Sequence, residues 1–210
     1  MAARVIVVTG FEPFGLHKEN PSQELARAVD GRRIGDHVVR GAVLPVHHAD
    51  TAGEVAALLA ATRAAAIVHL GLANGRARVA LERVAVNVLD YSIPDNAGHR
   101  IAGEPCAANG PAAYVSTLPL TAMLAALTAE GVPAYISNTA GTYLCNQTMY
   151  GTLHALAGRS DVPRAGLVHV PSLPSMVAAS GLDEPSMDFG LMLRAVHVIL
   201  DVVAADVARA

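Results

Sequence analysis

Short apolar runs rich in β-branched residues alternate along the chain with longer stretches that have helical spacing. Buried strands are predicted for the runs at 4–9, 37–46, 66–70, 134–138 and 166–170, and 79–88 mixes strand features with two charges. Helices are predicted at 21–30, 51–65, 118–130 and 145–156 and at the C-terminus. Strands that alternate with helices indicate an α/β fold, in which a mostly parallel sheet is covered on both faces.

Start signals define the beginnings of two of these helices. Asn20 is a favoured N-cap and Pro21 a favoured first helical residue, whereas Ser116 or Thr117 is the predicted cap of the helix that ends near Glu130. A stripe of apolar residues at helical spacing predicts that the C-terminal helix packs on the sheet. Its members are Met192, Val196, Ile199, Val203 and Val207.

Residues 91–112 form the one long stretch without helical or strand periodicity. Pro94, Gly98, Gly103 and Pro105 interrupt any regular pattern there. A loop of this length in a compact domain is usually functional or mobile. The remaining pattern shows no repeat and no linker. The sequence therefore predicts a single domain over residues 1–210.

The composition narrows the classes of function. The 210 residues include 15 Lys and Arg against 18 Asp and Glu, a formal net charge of −3, and 52% are hydrophobic. Such a chain is too apolar for intrinsic disorder and not basic enough to favour nucleic acid as a partner. Its apolar stretches are too short or too interrupted for a signal peptide or a membrane span, and two cysteines cannot build a disulfide framework. The predicted location is the cytoplasm, where thiols stay reduced.

Cys145 stands where a thiol can be activated. It follows the strand at 134–138 and a Gly-containing turn, and it begins the predicted helix at 145–156. A helix N-terminus stabilises a thiolate, and its free N–H groups can hold an oxyanion. The plainer alternative is an inert, buried structural cysteine, which is the interpretation we give to Cys106 in the irregular stretch.

A thiol nucleophile needs a histidine as base and a third group that orients the histidine. His169 lies near the carboxyl end of the strand at 166–170, where ligands bind in α/β sheets. Glu82 lies in an apolar run, where a carboxylate needs a partner. Arg83 points to the other face of the strand, so the expected partner is a His or Arg on a neighbouring strand. The plainer alternatives are a buried, satisfied histidine and a carboxylate on an exposed sheet edge.

Phe11 and Phe14 are two of the three Phe residues of the chain, and both lie in the loop after the first strand. Two rings at the binding edge of the sheet suggest a slot for a flat, uncharged group, unless they plug the end of the core. His47, His48 and Asp50 are residue types that bind metals. Adjacent His residues on an extended chain point to opposite faces, however, which argues against a shared metal.

With these motifs in place, the sequence resembles the pyroglutamyl peptidase I family, cysteine peptidases that remove an N-terminal 5-oxoproline from peptides. Six blocks in the family's order carry the resemblance, from about residue 5 to residue 175. They are TGFEPFG at 9–15 with NP at 20–21, ERVAVN at 82–87, IPDN at 93–96, STLP at 116–119, SNTAGT at 137–142 with CN at 145–146 and MY at 149–150, and HVP at 169–171.

The resemblance implies a three-layer α/β/α fold with a twisted, mostly parallel central sheet, often assembled as a homotetramer. It implies that Cys145 is the nucleophile, His169 the base and Glu82 the carboxylate that orients the base. The substrates would be peptides with an N-terminal pyroglutamate, and neither a cofactor nor a metal would be used. We expect a homo-oligomer, a tetramer or a dimer.

The same resemblance implies that Phe11 and Phe14 bind the substrate ring and that Asn20 is a polar residue near the pocket. The chain departs from the family at two positions, since Leu72 stands where Gln is common and Ser92 where Arg is common. In the family that Arg lies close to the oxyanion site, and one lost oxyanion donor costs on the order of 10²–10³ in turnover.

Three alternatives follow for the family Arg: Arg76 or Arg83 substitutes for it, the backbone N–H groups near Cys145 suffice, or the enzyme is slower. Two alternatives to the peptidase remain at this point. One is a catalytically weakened member that only binds pyroglutamyl peptides. The other is a nucleoside phosphorylase-like enzyme on a related sheet, with the loop at 71–76 as its phosphate site, although that loop lacks the glycine spacing of known phosphate loops.

Overall fold

The computed structural model describes residues 4–159 and 162–209. Its strands are β1 (Arg4–Phe11), β2 (Arg33–Ile34), β3 (His37–Leu44), β4 (Ala64–Leu72), β5 (Val79–Glu82), β6 (Val84–Val86), β7 (Leu89–Asp90), β8 (Ala102–Glu104), β9 (Ala113–Val115), β10 (Ala134–Ser137) and β11 (Arg164–Val170). Its helices are α1 (Pro21–Ala28), α2 (His48–Ala61), α3 (Leu120–Ala129), α4 (Leu144–Leu156), α5 (Pro174–Ser180) and α6 (Phe189–Val207).

Seven strands form one sheet in the order β10-β5-β11-β4-β1-β3-β2. The strands β11, β4, β1 and β3 run parallel to one another, which confirms the predicted α/β fold with a mostly parallel sheet. These strands are rich in Val, Ile and Leu and are largely buried, as expected for a sheet with helices on both faces.

The helices cover the two faces of the sheet in two sets. Ile6 and Val8 of β1 pack in a cluster with residues of α1, α3 and α6, whereas Val7 belongs to a cluster with residues of α4. Helix α2 contacts α4 on that second face. The predicted apolar stripe of α6 is buried throughout, because it faces the sheet and α3. The result is a three-layer arrangement, as expected.

The start of α3 differs from the prediction. The cap expected at Ser116 or Thr117 is wrong, because these two residues bond to the main chain of Ala165 at the start of β11. Leu118 precedes a proline and is disfavoured in helical conformation, so the helix begins only after Pro119. Within the irregular stretch 91–112, β8 pairs with β7 and gives the loop a local support.

The direction of β5 is the feature of the sheet that the pattern did not predict. It pairs antiparallel with β11 and parallel with β10, so β5 and β10 run against the strands beside them. The carboxyl end of β10 therefore points away from the carboxyl ends of β4 and β11. Residues 138–143 carry the chain back to that edge before α4 begins.

None of the helices in the described ranges combines the length and the apolarity that a bilayer crossing requires.

Candidate active site

The pairing of β5 with β11 brings Glu82 and His169 together inside the sheet. Glu82 lies opposite Leu167, and His169 follows two residues later on the same face of β11. The side chains of Glu82 and His169 are almost fully buried, and His169 Nδ1 lies 2.7 Å from Glu82 Oε1. Since Nδ1 is occupied by the carboxylate, Nε2 is the nitrogen left for a second partner.

That second partner is the thiol at the start of α4. A Cβ on Gly71 would lie 2.7 Å from Cys145 Sγ and 3.1 Å from His169 Nε2, so both atoms converge on the space beside this glycine. Gly71 sits directly opposite His169 in the β4–β11 ladder. The absence of a side chain at Gly71 is therefore what allows the thiol and the imidazole to meet.

The electrostatics favour a charged imidazole beside the thiol. Burial lowers the pKa of His169, but the charge of Cys145 and hydrogen bonds to Cys145 and Glu82 outweigh it and raise the pKa to about 9. Burial acts to raise the pKa of Glu82, yet the hydrogen bond and charge of His169 prevail and the pKa is lowered. An ionised carboxylate thus holds an imidazolium, which is the state that stabilises a thiolate.

Arg76 is a residue of this site that the sequence reasoning placed differently. Its Nη1 donates to Glu82 Oε1 at 2.7 Å, so His169 and Arg76 share one carboxylate oxygen. Arg83, the other candidate to replace the family Arg, donates to Asn138 Oδ1 at 2.7 Å. In the structure Arg76 therefore supports Glu82, and Arg83 bonds outside the Glu82–His169 pair.

The first turn of α4 supplies donors next to the thiol. Tyr143 caps the helix without a side-chain hydrogen bond, so in the described part of the chain no side chain occupies the first-turn N–H groups. These groups lie at the positive end of the helix, where backbone N–H donors favour a developing negative charge. Ser92 is exposed in the neighbouring loop, and Leu72 is buried at the end of β4.

The two predicted ring-binding residues lie at the same end of the sheet but in different environments. Phe11 is buried at the end of β1, in an apolar cluster that Cys145 and Phe14 also contact. Phe14 is half-buried, and its ring lies 6.1 Å from that of Tyr143, the residue two positions before the thiol. Phe11 thus fills the end of the core, and Phe14 and Tyr143 form the more accessible aromatic wall.

Asn20 is buried, and its side chain acts within the loop that carries the Phe residues. Its Oδ1 accepts from the backbone N–H and the hydroxyl of Ser22, and its Nδ2 donates to the carbonyl of Glu12. The side chain of Glu12 in turn accepts from the backbone of Val46 and from Asn96. Asn20 therefore shapes the pocket by fixing the loop, and its role as a substrate contact stays a prediction.

A polar network behind the first turn of α4 also escaped the sequence reasoning. Tyr91 donates to Gln147 Oε1 at 2.6 Å, and Gln147 Nε2 donates to the carbonyl of His48 at 2.8 Å. This network anchors α4 to α2 and to the loop after β7. It became visible only in three dimensions, because the partners are far apart in sequence.

Cys106 contrasts with Cys145. Its thiol is half-buried and lies 3.6 Å from the carbonyl of Val86, and burial raises its pKa to about 11. A thiol that stays protonated at neutral pH is a poor nucleophile. This supports the structural interpretation of Cys106.

Comparison of the sequence with known proteins identifies one family. The sequence profile of pyroglutamyl peptidases matches residues 4–206. The chain belongs to the pyroglutamyl peptidase family. It is 42% identical over 200 residues to a pyrrolidone-carboxylate peptidase of Pyrococcus furiosus, covering 94% of this chain and 96% of the relative. It is 45% identical over 195 residues to one of Cupriavidus pinatubonensis, covering 92% and 90%.

Solved structures of this family agree with the fold. The chain superposes on a crystal structure of pyrrolidone carboxyl peptidase from P. furiosus with a TM-score of 0.94 and 41% identity, over 97% of this chain and 99% of the other. The resemblance stated from the sequence motifs is therefore confirmed, and so is the fold it implied.

Proposed function

We propose that this protein is a cysteine exopeptidase that hydrolyses the amide bond after an N-terminal pyroglutamyl residue of peptides. The observation that carries the proposal is the convergence of Cys145, His169 and Glu82 beside Gly71. Membership in the pyroglutamyl peptidase family supports the same substrate class. No metal and no cofactor takes part in the proposed reaction.

In the first half of the reaction, the pyroglutamyl group is transferred to the sulfur of Cys145 as a thioester. The proton of the thiol resides on Nε2 of His169, and the sulfur adds to the carbonyl carbon of the pyroglutamyl residue. The oxygen becomes an oxyanion that faces the first-turn N–H groups of α4. When the carbonyl re-forms, the C–N bond breaks and the imidazolium of His169 donates its proton to the leaving amine.

In the second half, water releases the product. Neutral His169 takes a proton from a water molecule, and the hydroxide adds to the thioester carbon. The C–S bond then breaks, pyroglutamate leaves, and the sulfur departs as a thiolate beside the imidazolium. Glu82 holds Nδ1 throughout, so Nε2 faces the reaction in both steps.

We infer that the aromatic wall of Phe14 and Tyr143 selects substrates whose N-terminal group carries no charge. The lactam ring of pyroglutamate is neutral and flat, and it suits a slot bounded by Phe14 and backed by Phe11. A free N-terminal glutamate would bring two charges, which such a slot would have to desolvate. Specificity thus arises from rejection as well as from attraction.

A fluorogenic pyroglutamyl amide tests the proposal. We expect release of the fluorophore that is abolished by a thiol-blocking reagent and slow release from the corresponding glutamyl amide. Measurable binding without release in the unmodified protein would select the weakened binder. Phosphate-dependent cleavage of a nucleoside, without amidase activity, would select the phosphorylase-like alternative.

We further propose that the chain acts as one catalytic domain, as a homo-oligomer and in the cytoplasm. One sheet takes strands from β1 to β11, and α6 packs on it, which supports a single domain. Both cysteines are free, and a nucleophilic thiol works best in a reducing compartment. Light scattering after size exclusion distinguishes a tetramer or dimer from a monomer.

A further inference from the structure

Three side chains of metal-binding types meet where the start of α2 faces the loop after β7. One ring nitrogen of His47, one of His99 and a carboxylate oxygen of Asp95 all lie within 4.8 Å of one another. His47 caps α2, whereas Asp95 and His99 belong to the irregular stretch. We propose that these three side chains bind a divalent transition-metal ion, with Zn²⁺ as the representative of that class.

The distances suit such an ion with small side-chain movements. His99 Nδ1 and Asp95 Oδ2 lie 3.3 Å apart. In a tetrahedral zinc site with bonds of about 2.0–2.1 Å, neighbouring ligand atoms are separated by about 3.3 Å. The rings of His47 and His99 have their centroids 5.1 Å apart and are tilted by 59°, so both can turn a nitrogen toward the same point.

Asp95 is a fixed anionic ligand. Its side chain is fully buried, and it accepts hydrogen bonds from the backbone N–H groups of His48, Ala97 and His99 at 2.8–3.0 Å. These three backbone hydrogen bonds fix the orientation of the carboxylate before any ion arrives.

Asp50 completes the surroundings of His47. Its Oδ2 lies 3.0 Å from Nδ1 of His47. If His47 binds the ion through Nε2, this carboxylate orients the ring as partners of metal-bound histidines do. The loss of the Asp50 carboxylate should therefore weaken the site.

The donor set defines the class of ion. Two imidazole nitrogens and one carboxylate oxygen suit Zn²⁺, Co²⁺, Ni²⁺ or Cu²⁺, whereas Mg²⁺ and Ca²⁺ prefer oxygen ligands alone. Adjacent His47 and His48 do point to different partners, as the sequence suggested, since His48 Nδ1 lies 3.1 Å from Gln147 Oε1. The additional ligands come instead from a loop nearly fifty residues away, at Asp95 and His99.

The ion would act as a clamp on the wall of the pocket and would have no part in breaking bonds. The loop that supplies Asp95 also accepts a hydrogen bond from the hydroxyl of Tyr143 at Pro94, and Asn96 reaches Glu12 of the Phe-bearing loop. A metal that joins this loop to the start of α2 would therefore stiffen the pocket wall. Its removal would leave the Cys145–His169 pair in place.

Direct metal binding tests the proposal in the full chain. Because thiols also bind these ions, the measurement uses the Cys106→Ser/Cys145→Ser variant and follows a Co²⁺ titration by its visible absorption. We expect one Co²⁺ per chain with the intense bands of a tetrahedral site, and displacement by Zn²⁺. Absence of such bands, or unaltered binding in His99→Gln, overturns the proposal.

Two further variants in the same background, Asp50→Asn and His154→Gln, are compared with His99→Gln. Asp50→Asn should weaken binding by roughly tenfold to 100-fold, the usual effect of a lost outer partner, and His99→Gln should weaken it more. His154→Gln is the matched control, because His154 lies on α4, bonds to Tyr114 of β9 and is outside the cluster. Zn²⁺ should raise the melting temperature of the control but not that of His99→Gln, and equal shifts in both would contradict the assignment.

Discussion

At the scale of single residues, the two cysteines carry the same group in opposite settings. Cys145 begins a helix beside an imidazole whose pKa is raised to about 9, whereas burial raises the pKa of Cys106 to about 11. We propose that this difference in position makes Cys145 the reactive thiol and leaves Cys106 unreactive. The sequence predicted this contrast, because a Gly-containing turn before a helix is visible in it.

Cys145→Ser should abolish pyroglutamyl amidase activity, with a fall in kcat of at least about 10⁴, because a serine is not ionised by His169 in the way that a thiol is. Circular dichroism should show an unchanged fold. Cys106→Ser is the matched control and should retain nearly full activity. If Cys106→Ser were the inactive variant, the nucleophile would be misassigned.

The same substitution should change the titration of His169. The charge of Cys145 and its hydrogen bond are the leading causes that raise the pKa of His169 to about 9, so Cys145→Ser should lower this pKa. Imidazole NMR signals followed against pH measure the shift. An unchanged His169 pKa would show that the sulfur and the imidazole do not interact.

Arg76→Ala should lower kcat by about tenfold to 100-fold, because a charged hydrogen bond of roughly 1.5–3 kcal/mol to Glu82 is lost and the His169 ring is held less firmly. KM should change little. Arg83→Ala removes an equal charge that bonds to Asn138 and serves as the control. Equal losses in the two variants would indicate a general effect of charge and not support of Glu82.

At the scale of elements, β4 contributes to the site through Gly71, which has no side chain. Gly71→Ala places a methyl group 2.7 Å from Cys145 Sγ and should reduce kcat/KM by more than about 100-fold, since misplacement by about 1 Å costs that much. The strand should still form, because Ala is compatible with extended backbone. Activity near that of the wild type would mean that the thiol and imidazole do not need this space.

Gly53→Ala is the complementary change on α2. A Cβ at Gly53 meets nothing within 4 Å, and Gly in a helix is less favourable than Ala by about 0.5–1 kcal/mol. The free energy of unfolding should therefore rise by about that amount while activity stays constant. Denaturant titrations measure it, and a loss of stability would show that α2 is strained at this position.

The sequence predicted most elements and missed those that depend on distant partners. Apolar runs gave β1, β3, β4, β10 and β11, because each strand buries its own residues. The start of α3 was misplaced, since Ser116 and Thr117 bond to Ala165 on another strand. The direction of β5 could not be predicted from the local pattern either, because pairing with neighbouring strands sets the direction and composition does not.

At the scale of the whole molecule, the site draws one residue from each of several elements. Cys145 comes from α4, His169 from β11 and Glu82 from β5, and the space between them from β4. These three residues could be predicted from the sequence, through their residue types and the family motifs. The supports at Arg76 and Gln147, and the cluster around Asp95, required the fold, because nothing in their local sequence marks their partners.

Stability should pass through a maximum near pH 6.5. His69 is buried between Thr9 and Thr152, and burial lowers its pKa from 6.5 to about 3, so the unfolded chain binds more protons and stability falls as the pH drops below 6.5. The lowered pKa of Glu82 acts in the same direction in acid. His169 has a raised pKa, so its contribution is full below 6.5 and is lost as the pH rises toward about 9.

Denaturant midpoints measured from pH 4 to pH 9 check this profile. Each additional proton bound by the unfolded chain corresponds to a slope of about 1.4 kcal/mol per pH unit. His69→Gln should flatten the acid limb and leave the alkaline limb unchanged. A stability that kept rising into acid would contradict the burial of a neutral His69.

The reversed course of β5 has an evolutionary corollary. A carboxylate that a loop supplied would move with every insertion or deletion in that loop. Here it is clamped between neighbouring ladders, in register with Leu167 of β11 and Ser137 of β10. Sequence changes in the surface loops can therefore alter which peptides are accepted, while the position of Glu82 relative to β10 and β11 stays the same.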